Sequence, residues 1–236
     1  MLLSNLPVIR YNLLDNYRGL AVILMVIFHL CWNLKDFGFV HFDAYSDFWV
    51  NFRALIVFMF ASAVGWSSYL AVLNHQPIAR FLKNQCKVAF AASLITVGTY
   101  LALPDQWVFF GILHFIFLAG FIVRPISAHP CTSCLLGLSL IAISFLFNIS
   151  SISTHKWFIQ AFSVPSTTLD FVNPILWLGV VLIGPIFGYM NLHKMHIPQS
   201  QLTKLFSFLG KHALLAYLSH QLILYPLVMA AYFIVN

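Results

Sequence analysis

The chain has no glutamate at all, and its six acidic residues among 236 are all aspartate. Charged residues of either sign amount to 8%, where a soluble domain carries about 25%. Such a surface could not be kept in water, which excludes a soluble globular protein. Cysteine is equally scarce. Cys31, Cys86, Cys131 and Cys134 are too few and too scattered for a disulfide framework. The one close pair, Cys131-Thr-Ser-Cys134 after His129, lacks a second ligand pair at metal spacing, so it reads as an unliganded loop pair and no metal is expected. The final apolar segment has no internal lysine, which removes a retinal Schiff base. No internal repeat, soluble module or cleavable signal is apparent, so residues 1–236 read as a single membrane domain whose first helix is retained.

What is present is apolar: 61% of the residues are hydrophobic, and the mean hydropathy is +0.89. The expected class is all-α, a polytopic helical membrane bundle. The net charge of +6 is dispersed between apolar blocks, which points to topology rather than a nucleic-acid partner. About seven spans are expected, near 18–34, 50–73, 86–103, 107–124, 134–149, 174–191 and 212–234. Breaks coincide with Gly38, Pro77, Pro104, Pro125, Pro130, Pro165, Pro174 and Pro198. Alternate loops put Arg10, Arg18, Arg80, Lys83, Lys87, Arg124, Lys194, Lys204 and Lys211 on one side and only Lys35, Arg53 and Lys156 on the other. The positive-inside rule then places the N-terminus in the cytoplasm and the C-terminus outside. Every aspartate except Asp15 falls on the outer side.

The run Leu14-Asp-Asn-Tyr-Arg-Gly-Leu-Ala-Val-Ile-Leu-Met-Val-Ile-Phe-His29 concentrates the chemistry. Arg18, Val22, Met25 and His29 recur at helical spacing, so Arg18 and His29 share a face. At 1.5 Å per residue they lie roughly 17 Å apart, which sets His29 near the bilayer midplane, where an ionisable group is a functional hypothesis by default. His41, His114 and His155 lie on or near the outer half, and Tyr217, His220 and Gln221 form a polar stripe on the last span. A neutral imidazole beside a polar cavity is suited to taking a proton from a hydroxyl or amine. Asp43 or Asp47 could fix the tautomer of such a histidine. Arg18 with Lys83, Lys87, Lys204 and Lys211 supplies cytoplasmic positive charge for phosphates. Each residue also has a plainer role: His29, His114 and His220 as satisfied core histidines, His41 as a solvated loop residue, Asp15–Arg18 as a structural ion pair. Two other classes stay open on these residues, a non-catalytic transporter or membrane component, and a haem-binding electron-transfer protein using histidines on facing helices.

The same residues carry a resemblance. The opening run is similar to the first motif of transmembrane acyltransferases, in which an acidic residue and Arg-Gly precede a helix bearing a histidine. With Trp107–Gly120, Leu169–Gly188 and Leu209–Leu227, in that order, it resembles the catalytic domain of the heparan-alpha-glucosaminide N-acetyltransferase family and its small bacterial relatives. The resemblance implies transfer of an acetyl group from cytoplasmic acetyl-CoA, as co-substrate, to a sugar amine or hydroxyl of an extracytoplasmic glycan or glycolipid. It puts the catalytic histidine at His41, with His29 and His114 at further polar positions of the motif. Arg18, Asp15, Lys83 and Lys87 are expected on the donor, and Asp43, Asp47, His220, Tyr217 and Gln221 on the acceptor. The expected setting is a bacterial inner (plasma) membrane, and a homodimer is compatible with it.

Overall fold

The computed structural model describes residues 9–235. Among them the regular elements are helical: α1 (Asn12–Asp36), α2 (Asp47–Leu73), α3 (Ile78–Ala102), α4 (Ile112–Ile126), α5 (Pro130–Leu146), α6 (Ser151–Phe162), α7 (Pro174–Ile183), α8 (Pro185–Tyr189), α9 (Gln201–Lys211) and α10 (Ala213–Val235), with a 3-10 turn at Leu192–Lys194. The all-α membrane-type class is as expected. The chain divides into two compact units. A terminal unit holds residues 11–60 and 194–236, and a central unit holds residues 61–193.

Four helices are long and apolar enough to cross a bilayer: α1, α2, α3 and α10. The pair α5–α6 meets the same test as one broken span bent by 87°, and α4 and the α7–α8 stretch Pro174–Tyr189 are shorter apolar helices. These elements fall on the seven expected segments, but three of them are not full-length straight spans.

In the terminal unit α1 packs against α9 and α10. The α1 stripe of Leu14, Ala21, Val22 and Met25 is buried, and so are Asp15, Asn16 and Asn33. Gly19 and Gly210 let α1 and α9 touch backbone to backbone. A Cβ on Gly19 would collide with the Phe206 carbonyl, and one on Gly210 with the Asp15 carbonyl. Phe28 gathers Trp32, Trp49 and Phe52 around it, which ties α1 to the start of α2.

In the central unit α5 lies along α7 and α8, α3 packs on α4, and α4 also meets α5 and α7. Local chemistry sets the boundaries. Pro130 and Pro174 occupy the first turns of α5 and α7, where a missing N–H costs nothing. Asn173 caps α7 by accepting from the Ile175 and Leu176 amides at 3.1 and 3.4 Å. Gly184-Pro185 interrupts the sixth expected span and separates α7 from α8. Before α4, residues 106–111 are non-helical and meet 168–172 at one isolated bridge, Phe110 with Phe171. Leu169 N–H donates to the Gln106 carbonyl at 3.0 Å, and Val172 N–H to that of Phe110 at 3.3 Å. His155 stacks between Phe109 and Phe171, with ring centroids 5.5 and 5.0 Å away.

Candidate functional site

The terminal unit brings together His29 of α1 and His220 of α10, with ring centroids 4.6 Å apart and the planes at 65°. His29 Nδ1 lies 2.9 Å from the Met25 carbonyl, and His220 Nδ1 lies 2.5 Å from that of Tyr217. A carbonyl only accepts, so each Nδ1 carries the hydrogen and each neutral ring keeps its lone pair on Nε2. His220 is 9% exposed, and its Nε2 has no hydrogen-bond partner among the described residues. The pair therefore sets a half-buried imidazole against a buried one, each held in one tautomer by its own helix. One turn beyond His29, the buried Asn33 donates from Nδ2 to Gln221 Oε1 at 3.0 Å, locking α1 to α10 at the same level. Tyr217 closes the group, with its ring 5.6 Å from His220 and 6.4 Å from Phe60. Centroids 4.6 Å apart leave no space for a porphyrin between the rings, so a bis-histidine haem does not fit this pair.

His41 belongs to the same unit. It is exposed in the segment between α1 and α2, with no hydrogen bond, ion pair or ring contact among the described residues. Asp43 serves its own turn. Its Oδ1 accepts from the Tyr45 amide at 2.8 Å, and its carbonyl accepts from the Ser46 hydroxyl at 2.9 Å. Asp47 is exposed in the first turn of α2, where a negative charge complements the helix dipole. Asp15 is buried, with Oδ1 3.7 Å from Arg18 Nη1 one turn away, so the opening ion pair lies inside α1 rather than ahead of it.

The remaining expected residues lie in the central unit. Lys83 and Lys87 are exposed one turn apart on α3. His114 stands in the first turn of α4 rather than two turns in, because the helix starts only at Ile112. Both of its nitrogens are used. The Thr96 hydroxyl donates to the Val108 carbonyl at 2.8 Å, so at 3.0 Å from His114 it accepts from Nε2–H, while Nδ1 faces the Gly111 amide at 3.3 Å. Asp170 accepts from the Ile112 amide at 2.9 Å. His114, Thr96 and Asp170 thus fasten the non-helical segment to the start of α4, an arrangement with no lone pair left for a substrate proton.

Sequence reasoning did not single out Asn33, Thr96 or Asp170 as members of these groups. Asn33 follows His29 by one turn in a run otherwise apolar, which is the signal that could have found it. Cys131 and Cys134 are free, and they sit in the first turn of α5 rather than in a loop.

The family model described as heparan-alpha-glucosaminide N-acetyltransferase, catalytic, matches residues 10–222. Comparison with curated proteins and with solved structures finds no match. The matched region runs from the start of α1 to the His220–Gln221 step of α10, so it takes in both histidine groups. The chain belongs to the heparan-alpha-glucosaminide N-acetyltransferase catalytic-domain family.

Proposed function

We propose that this membrane acetyltransferase takes its acetyl group from acetyl-CoA on the cytoplasmic side and delivers it to an amine or hydroxyl of an extracytoplasmic glycan or glycolipid. The family match supports the reaction class. The observation that carries the site is the His29–His220 pair, two imidazoles in contact whose Nδ1 hydrogens are both given to their own helices, with His220 Nε2 left without a hydrogen-bond partner among the described residues. His41 follows α1 in the same unit, exposed and unengaged, where an acceptor can reach it.

In this reading His41 takes the proton as the acceptor nitrogen or oxygen attacks the thioester carbonyl. The C–S bond then breaks, and the departing thiolate is protonated. The His29–His220 pair holds the thioester end of the donor and offers a second basic nitrogen, and Asn33 with Gln221 keeps α1 and α10 in register around it. His114 acts at a distance, by positioning the segment before α4.

Acetyl-CoA-dependent acetylation in membranes, with His41→Ala, His29→Ala and His220→Ala made singly, tests the reading. General base catalysis contributes about 10²–10⁴-fold, so His41→Ala should lose at least about 10²-fold in turnover. Full activity in all three variants would sink the assignment. Full activity in His41→Ala alone would move the base to the His29–His220 pair.

A further inference from the structure

A cavity of about 210 Å³ opens in the terminal unit beside the first turns of α1. Its polar lining is Asn12 and Asn16 of α1 with Gln199 ahead of α9 and Thr203, Lys204, Ser207 and Lys211 on α9. Lys204 and Lys211 are exposed and have no carboxylate partner among the described residues. The one aspartate on α1 near this end, Asp15, is turned to Arg18. Asn16 is 9% exposed. Its Nδ2 donates to the Asn12 carbonyl at 2.8 Å, and its Oδ1 is buried with no hydrogen-bond partner among the described residues. Tyr11 offers no side-chain cap to α1.

Two ammonium groups without a carboxylate partner, beside the Thr203 and Ser207 hydroxyls, call for an anion, and the phosphate of a phosphorylated nucleoside supplies one. We propose that this cavity seats the phosphate-bearing end of the acyl donor, with Lys204 and Lys211 rather than Lys83 and Lys87 as its cationic holders. The inference rests on the acetyl-CoA reading above and adds the place of the donor's far end. Distance supports it: from Asn16 to His29 α1 rises by roughly 20 Å. The two-amide arm of the donor, about as long as five extended residues, spans roughly 17 Å. A donor anchored at Lys204 and Lys211 therefore brings its thioester to the level of the histidine pair.

Calorimetric titration of the full-length protein in nanodiscs, wild type against Lys204→Ala/Lys211→Ala, tests the site with three probes: CoA, pantetheine and inorganic pyrophosphate. Loss of two charge-assisted contacts should weaken CoA by about tenfold or more, weaken pyrophosphate likewise, and leave pantetheine unchanged. Both lysines are exposed, so the variant is expected to fold, and an unchanged far-UV spectrum checks this. Equal CoA affinity in the two proteins overturns the inference and leaves the acetyl-CoA reading standing. If the wild type binds no CoA, the donor reading fails. The cavity then keeps only its anion-site character, and only if pyrophosphate binds the wild type and not the variant. Pyrophosphate binding neither protein overturns that as well.

Discussion

A histidine in a membrane helix is costly to bury, and the two in the terminal unit offset that cost by donating to a carbonyl of their own helix, at i−4 for His29 and i−3 for His220. The bond leaves the lone pair on Nε2 and makes the tautomer a property of the helix rather than of a neighbouring carboxylate. Asn33 and Gln221 form the adjacent bond between helices. Replacing Asn33 with Leu strands the Gln221 amide and should cost about 1–3 kcal/mol, read as a lower thermal midpoint. Asn33→Leu/Gln221→Leu should lose less than the sum of the two single changes. His114 belongs to a different kind of site. Its ring links Thr96 to Gly111, so His114→Ala should lower the thermal midpoint, and any loss of acetyl transfer should follow the folded fraction. Thr96→Val should be non-additive with it, which a double-mutant cycle measures.

Among the elements, the α1–α9 crossing is the closest backbone approach in the terminal unit. Its two glycines are contact points rather than hinges, so Gly210→Ala pushes α9 off the Asp15 carbonyl. Overpacking of this sort costs about 1–3 kcal/mol. The same change should weaken CoA binding, because Lys204, Ser207 and Lys211 ride on α9. That helix is where the sequence was least legible. Gln201–Lys211 is too short and too polar for a span, and it follows a proline, so it reads as a loop by hydropathy alone. Its partner on α1 is marked only by Gly19, whose meaning depends on a residue nearly two hundred positions away. The long spans were legible because apolar length is a local property, and α1, α2, α3 and α10 all extend the expected segments or match them closely. The start of α4 was not. Trp107–Phe110 is as apolar as a helix, but Thr96 and Thr99, which bond the Val108 carbonyl and amide, and the contacts with 168–172 keep it out of the helix. For the site, helical periodicity placed His29 and the Tyr217-His220-Gln221 stripe on inward faces. Contact between the two required knowing that α1 and α10 are neighbours, which hydropathy does not encode.

For the whole molecule, composition and the family match agree on an integral membrane acetyltransferase. The lysine and arginine asymmetry predicts a cytoplasmic N-terminus and an outer C-terminus, as an odd number of crossings requires. Reporters fused after Arg10 and after Val235 should therefore give opposite readings, a cytoplasm-active one at the first and an export-active one at the second. Identical readings would mean that one of the short elements does not cross. The short elements also bear on the bilayer around them. With 15 residues, α4 covers about 22 Å of a hydrocarbon layer about 30 Å thick. The stretches before α4 and before α7, joined by the Phe110–Phe171 bridge, are non-helical, and non-helical backbone at membrane depth is tolerated only where protein or water surrounds it. Lipid tails beside α4 must then shorten or give way to water, which makes this the thin place of the bilayer around the central unit.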